Sequence, residues 1–367
     1  MLTVSLCIIV KNEETTLGRC LESVRDAVDE INIVDTGSSD RTVEIASRFT
    51  DRVFYYEWPD SFAKALNKAF SYATMDYILY MDADDVMLPK DRDAFLELKR
   101  TLDSSIDVVS MFYDYGTDEY GNVSLRYRYN RLVKRSRNFQ WHGDCHQYLA
   151  ASGKTLNADI AITHRRIKHA TGRTLNLFRK KQQRGETFDA RDYFYYGNEL
   201  RENGHHAEAI EAYKTHLSRQ DAWVDDKIYS CINSADCHRY LNDRGNELTM
   251  LLKSFEYGAP RAEAVSRIGD HFNHAGQFKT AIYWYELALR TRPAPDQWSF
   301  SYPAYYTWYP HLQLCVCYFK VGDLRTAYEH NEEARKYRPD DGSVKHNRKW
   351  LGERLGIKPE SEPESES

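Results

Sequence analysis

The sequence predicts two structural classes in one chain: an α/β domain on a doubly wound, mostly parallel sheet, then an all-α solenoid of paired helices. Two observations carry that expectation. Strand and helix patterns alternate through residues 2–112, and glycine and alanine recur at fixed spacing from Gly197 onward. A chain of 367 residues also exceeds one ordinary domain of roughly 100 to 200 residues, so two separate cores are expected.

The alternation runs as follows. Residues 2–10 are an apolar, β-rich strand, 15–28 an amphipathic helix and 30–35 a second strand, before a helix over 40–49 opened by Ser39-Asp40. A strand over 53–56, a helix over 62–72, a strand over 77–81, a helix over 91–101 and a strand over 107–112 follow. Residues 113–137 read as a hairpin turning at 118–122. Its period of two puts Tyr127 and Tyr129 on one face and Arg126 and Arg128 on the other, so that one set packs while the other meets ligand or, as expected here, solvent.

Composition narrows the function classes. The net charge of −5, with both signs interspersed, leaves no basic stripe for nucleic acid. The apolar start runs straight into Lys11-Asn12-Glu13-Glu14 and is too short for a membrane span. Seven cysteines, odd in number and without a CxxC pair, fit a reducing, cytoplasmic location.

Three loops fall on the carboxyl edge of the expected sheet: Lys11 to Glu14, Asp35 to Asp40, and Asp82 to Asp85. Ligands bind at that edge in doubly wound sheets. The first turn has no glycine, so a dinucleotide fingerprint is absent and a mononucleotide site remains. Carboxylates at Asp82 and Asp84, straddling Ala83 after an apolar strand, can share a hard divalent cation; an acid-rich turn is the competing reading. Asp35 could accept from a base N–H or a ribose hydroxyl, Gly37 permits a tight turn, and Asp40 reads as a helix N-cap.

Leu6-Cys7-Ile8-Ile9-Val10-Lys11-Asn12-Glu13-Glu14, Val34-Asp35-Thr36-Gly37-Ser38-Ser39-Asp40-Arg41-Thr42 and Met81-Asp82-Ala83-Asp84 together resemble the GT-A glycosyltransferases of family 2. The resemblance covers residues 1–185. It implies a UDP-sugar donor among Val10, Glu13, Asp35, Lys64, Asp82 and Ala83, with Glu13 beside the base and Asp35 at the uridine. It also implies Mn2+ or Mg2+ on Asp82, Asp84 and His164; a histidine satisfied by a backbone carbonyl is the alternative for His164. Single displacement with inversion at the anomeric carbon follows from the family.

Two departures from the family pattern matter. Leu66 replaces the arginine of an Ala-Arg-Asn element, leaving Lys64 or Lys68 to supply charge to the diphosphate. Gln147 stands where the family carries its general-base glutamate, and a neutral amide cannot take a proton at neutral pH. Asp144 is the nearest substitute. A cysteine acceptor, with a thiol pKa of ~8.5, would need less help than a serine. His142, Cys145, His146, His164 and His169 have the residue types of a zinc cluster but not the spacing of a ribbon or finger.

In the second half, Gly197, Gly269 and Cys315 each precede an alanine by twelve residues, at Ala209, Ala281 and Ala327. Gly204, Gly276 and Gly322 fall seven after each start, Tyr213 and Tyr285 sixteen after theirs, and Pro293 and Pro339 close two units. These spacings resemble tetratricopeptide repeats, with a degenerate unit near Ala235. Repeats over 186–341, a capping helix over 342–357 and a disordered acidic tail over 358–367 are expected. An aromatic insertion over 293–309 either lines a groove or covers the end of the array.

Repeat arrays bind polypeptides, so a peptide or protein acceptor, modified on Ser/Thr or Cys, is expected. Glycosyltransferases that modify glycocin-type peptides, and some acting on flagellin, look similar in this domain order. A glycan or lipopolysaccharide acceptor, a non-catalytic scaffold with a degenerate transferase domain, and homo-oligomerisation through the repeats are the alternatives.

Overall fold

The computed structural model describes residues 2–144, 146–165, 172–293 and 298–357. The readings on Cys145, His169, residues 294–297 and the tail lie outside them. The chain divides into two compact units. One comprises Met1–Gly116, Leu125–Arg184 and Gln297–Phe300, and the other Thr117–Ser124, Gly185–Asp296 and Ser301–Ser367. Among the described residues, no helix is long and apolar enough to cross a membrane.

Among the described residues the first unit has ten strands: β1 (Val4–Val10), β2 (Glu30–Asp35), β3 (Val53–Tyr55), β4 (Tyr77–Tyr80), β5 (Asp85–Val86), β6 (Val108–Tyr115), β7 (Arg126–Lys134), β8 (Trp141–His142), β9 (Tyr148–Leu149) and β10 (Thr155–His164). Eight form one sheet in the order β3-β2-β1-β4-β7-β6-β10-β5, while β8 and β9 pair separately. β1 runs parallel to β2 and β4, β2 to β3, and β6 to β10. β2 and β4 are buried at every residue and β1 at all but one, as expected of parallel strands covered on both faces.

Helices α1 (Leu17–Val24), α2 (Thr42–Ala46), α3 (Phe62–Phe70), α4 (Pro89–Thr101) and α5 (Arg173–Gln183) complete this unit. Two apolar cores result, one holding Leu17, Leu21 and Phe95 from α1 and α4, the other Leu66, Ala69 and Phe70 from α3. Strand order reverses about β1, since β2 and β3 lie on one side and β4 on the other. The register, Val10 opposite Asp35 and Cys7 opposite Tyr80, brings the three acid-bearing loops to the same sheet edge. In the glycine-free first turn, Asn12 takes a left-handed φ of 57°, which asparagine tolerates better than most residues.

The hairpin strands are longer than the pattern suggested, and β7 enters the sheet antiparallel to both β4 and β6. Arg126 and Arg128 do not face solvent. Arg126 forks onto Asp114 at 2.5 and 2.7 Å, and Arg128 lies over the Phe112 ring while donating to the Ala158 carbonyl at 2.9 Å. Asp114 and Phe112 stand opposite these arginines on β6, the hairpin's own other strand, and only Ala158 belongs to a third strand, β10.

The second unit pairs α6 (Ala190–Glu202) with α7 (His206–Ser218), α8 (Val224–Tyr240) with α9 (Arg244–Lys253), α10 (Ala262–His274) with α11 (Phe278–Arg290), and α12 (Trp308–Val321) with α13 (Leu324–Arg335); α14 (Gly342–Leu355) follows. The repeat spacing has a direct packing cause. A Cβ on Gly197 would lie 2.6 Å from the Tyr213 ring, and one on Gly269 would lie 2.6 Å from Tyr285.

Where the small residue grows, its partner shrinks. The second pair has Ala235 with Leu251 and the fourth has Cys315 with Asn331, all buried. Summed volume is thereby kept in the second pair, whereas Cys315 with Asn331 sums to less. The helix-breaking position reads Gly204, Asn242, Gly276 and Gly322, with φ of 80°, 60°, 73° and 89°. Asn242 and Ala235 therefore place the degenerate unit in register with the others.

The described part of the aromatic insertion packs on α10. Its 3-10 turn (Pro303–Tyr306) lies against α10, where the Tyr302 N–H and the Tyr306 hydroxyl donate to the buried Glu263 carboxylate at 3.0 and 2.9 Å. Tyr309 and Tyr285 donate to Asp270 at 2.8 and 2.7 Å. Arg267 forks onto Asp236 at 2.9 and 3.1 Å with its guanidinium 4.9 Å from the Tyr305 ring centre. Glu263, Arg267 and Asp270 form one stripe of α10, and the chain's own tyrosines cover it.

Two measurements test this packing. Gly197→Ala should destabilise the protein by about 1–3 kcal/mol in urea unfolding, and Tyr213→Leu in the same chain should recover most of that loss by recreating the Ala235–Leu251 pair. Burial, helped by Asp225 and opposed by Arg191 and Arg261, pushes the Asp226 carboxyl up to about 7. The folded state then keeps a proton that the unfolded state has released above pH ~4, so stability falls as pH rises through about 7. Asp226→Asn should remove a pH-dependent loss of roughly 2–4 kcal/mol between pH 5 and pH 8.

Candidate functional site

β4 is apolar and buried through Tyr80, and the chain then turns, with the Asp85 N–H donating to the Asp82 carbonyl at 3.1 Å. At Asp85 and Val86 it pairs antiparallel with the end of β10, setting Asp85 opposite His164. That short pairing carries an imidazole across the sequence to the acidic loop. One ligand atom each from Asp84, Asp85 and His164 lies within 4.8 Å of the others, the only such grouping of three among the described residues. His164 Nδ1 is 3.4 Å from Asp84 and 3.2 Å from Asp85.

The expected metal set was Asp82, Asp84 and His164. Asp82 stands outside the cluster, its carboxylate accepting from the Tyr80 hydroxyl. Burial first, then the charge of Asp85, pushes the Asp82 carboxyl up to about 6 despite the opposing pull of Arg131. Asp85, fully buried, accepts from the Tyr113 hydroxyl at 2.7 Å and the Asp82 N–H at 3.0 Å, besides facing His164. Burial alone would lower the His164 pKa, but its hydrogen bond to Asp85 and the charges of Asp84, Asp85 and Asp82 outweigh that and raise it. The Tyr115 ring stacks on the imidazole at 4.6 Å.

Sequence reasoning missed Arg131. β6 and β7 shift register between Val109 and Ser110: Val109 faces Leu132, Ser110 faces Asn130, and Arg131 is the unpaired residue between. A bulge of this kind re-aims a side chain. The Arg131 side chain is 1% exposed, with Nη2 3.4 Å from Asp85 and Nη1 donating to the Tyr80 carbonyl at 3.2 Å. Tyr113, Tyr80 and Tyr129 surround the guanidinium at 4.3, 5.1 and 5.2 Å. At such separations, two charges interact by roughly 4 kcal/mol at an effective dielectric of 20. No spacing rule announces a bulge, so nothing local in the sequence marked this residue.

The remaining expected residues organise the neighbouring loops. The Val10 carbonyl accepts from the Thr36 N–H and hydroxyl at 2.9 and 3.0 Å, tying the first two loops together. Glu13 donates its N–H to Thr42 at 2.7 Å, and its carboxylate accepts from Thr16 at 2.5 Å. Asp35 accepts from the N–H groups of Gly37 and Ser38 at 3.1 and 3.2 Å. The Asp40 carboxylate accepts from the Thr42 N–H at 3.0 Å, at the start of α2. Ala83 is buried.

Lys64 is exposed on α3, its backbone N–H bonded to the Ser61 hydroxyl that caps the helix. Lys68 lies over the Tyr72 ring at 4.8 Å. Leu66, at the family's arginine position, is fully buried with Cys7, Val34 and Ile78. The Asp144 carbonyl accepts from the Phe62 N–H at 3.0 Å, and the Gln147 carbonyl from the Tyr129 hydroxyl at 2.8 Å. Tyr129 in turn lies 6.4 Å from the Tyr80 ring, so this segment borders the aromatic group beneath Asp82. His142 and His146 stack on Tyr148 and Phe178. Two carboxylates and one imidazole in close convergence form a donor set suited to a divalent cation.

Residues 5–158 match the family described as Glycosyl transferase family 2. A TPR repeat-containing protein of Synechococcus elongatus is 45% identical over 103 residues, covering 28% of this chain and 25% of that protein. The SPbeta prophage-derived glycosyltransferase SunS of Bacillus subtilis is 28% identical over 295 residues, covering 74% of this chain and 66% of that protein. An uncharacterized glycosyltransferase of Rickettsia conorii is 31% identical over 135 residues, covering 35% and 40%. The chain thus spans less than two thirds of the length of each of these relatives.

The Asp85–Arg131 contact makes a stability prediction. Asp85→Ala leaves a guanidinium buried without its counter-charge and should cost about 3–5 kcal/mol in urea unfolding.

Proposed function

From the premise that residues 5–158 form a family 2 glycosyltransferase domain, we propose that this protein transfers a sugar from a UDP-sugar to a peptide or protein side chain in a metal-dependent, inverting reaction. The observation that carries the reading is the convergence of Asp84, Asp85 and His164 where β5 pairs with the end of β10. Carboxylates crowded there repel one another and any diphosphate unless a cation joins them. Asp84 and His164, backed by Asp85, would hold Mn2+ or Mg2+, which would neutralise charge on the departing diphosphate.

The chain's own residues perform the rest. The loop that Asp35 braces through Gly37 and Ser38 receives the uridine, with Glu13, Val10, Asp82 and Ala83 beside it. Lys64, exposed on α3, supplies charge toward the diphosphate. The acceptor oxygen or sulfur attacks the anomeric carbon, its proton passes to the Asp144 carboxylate, and UDP leaves from the opposite face. Gln147 orients the acceptor, since its amide cannot act as the base.

The polypeptide acceptor docks on the helical pairs, outside the α10 stripe that the chain's own tyrosines occupy. The intact acidic cluster favours catalysis over a scaffold role, and a cytoplasmic location follows from the cysteine usage. Asp84→Asn should lower Mn2+-dependent release of UDP from a UDP-sugar by at least about 100-fold while leaving thermal unfolding of the metal-free protein unchanged. Undiminished turnover in that variant would remove Asp84 from the chemistry.

A further inference from the structure

We infer that Arg131 is a positioning residue of the acidic site: its buried guanidinium holds Asp85 turned inward, and Asp85 fixes the Tyr113 hydroxyl and the His164 imidazole against Asp84. The role in transfer rests on the metal-dependent reading above. The side-chain arrangement stands without it.

Stability does not explain this arginine. A buried ion pair is no more stabilising than well-packed apolar side chains of the same volume, and Arg131 Nε has no hydrogen-bond partner among the described residues. The backbone nonetheless carries a bulge at this position, which turns the side chain under the acidic loop. One fork arm reaches the Tyr80 carbonyl, at the strand end where the loop begins, and the other reaches Asp85 within it. A guanidinium joins two such groups with fixed spacing, whereas an ammonium is a point charge.

Asp85 consequently accepts from Tyr113 and faces His164 on one oxygen while the other meets Arg131 and the Asp82 N–H. With both oxygens engaged, Asp85 is held inward and orients the imidazole, whose Nδ1 lies 3.4 Å from Asp84. Partners one shell behind a metal site typically alter its affinity 10- to 100-fold when removed.

The test compares wild type with Arg131→Met and Arg131→Lys, each at a temperature where it is folded. Two readouts serve: the imidazole 15N resonances of His164 in metal-free protein, and Mn2+ affinity without donor, from the electron paramagnetic resonance of free Mn2+. Arg131→Met should displace the His164 resonances and weaken Mn2+ binding at least about 10-fold, with Arg131→Lys between it and wild type. A folded Arg131→Met protein with unmoved resonances and wild-type affinity overturns the inference. Should that variant not fold, Arg131→Lys decides, and wild-type behaviour in both readouts overturns it. Failure of wild type to take up Mn2+, with the resonances still displaced in Arg131→Met, would sink the metal-dependent reading and leave the positioning role standing.

Discussion

A guanidinium sealed beneath the acidic loop is the constraint on which the carboxyl edge of the sheet depends. Arg131 cannot be hydrated at 1% exposure, so its charge must be met inside the protein, and Asp85 meets it. That commitment removes one of three neighbouring carboxylates from competition for a ligand and assigns it to His164 and Tyr113. The loop is therefore graded: Asp85 inward, Asp82 against Tyr80, and Asp84 facing the imidazole. The same aromatic group, Tyr80, Tyr113 and Tyr129, surrounds the cation and reaches the Gln147 carbonyl, so loops from distant parts of the sequence share one support.

The helical unit follows a different rule, a small residue facing a large one where paired helices cross. Gly197 with Tyr213 and Ala235 with Leu251 solve the same packing problem with different residues. A repeat can drift far in identity while its geometry holds, which is why the second pair looked degenerate. The stripe of Glu263, Arg267 and Asp270 on α10 is polar, yet it faces the chain's own tyrosines. A segment of the chain itself thus covers the α10 stripe.

Much of this was legible in the sequence because it is local. The second strand, Glu30–Asp35, follows from apolar periodicity alone, and the three loops could be placed on one edge by counting strands. Asp84 was singled out by the paired carboxylates that end an apolar strand, His164 through the family resemblance, and the glycine–tyrosine spacing announced the helical pairs. What escaped depends on pairing between distant segments. The two-residue contact of β5 with β10, the entry of β7 between β4 and β6, and the bulge at Arg131 have no signature in any short window. Arg126 and Arg128 meet Asp114 and Phe112 across the hairpin itself, where the alternation gives faces but not cross-strand partners, and the Ala158 carbonyl that Arg128 reaches belongs to β10, outside the hairpin pattern.

The most direct measurement is anomalous diffraction from a crystal soaked with Mn2+ and UDP. The account predicts one manganese peak bonded to Asp84 and His164, a diphosphate oxygen in its coordination sphere, the uridine beside Asp35, and Asp85 still paired with Arg131. A manganese peak away from Asp84 and His164, or UDP bound with no metal between its diphosphate and these side chains, would contradict it.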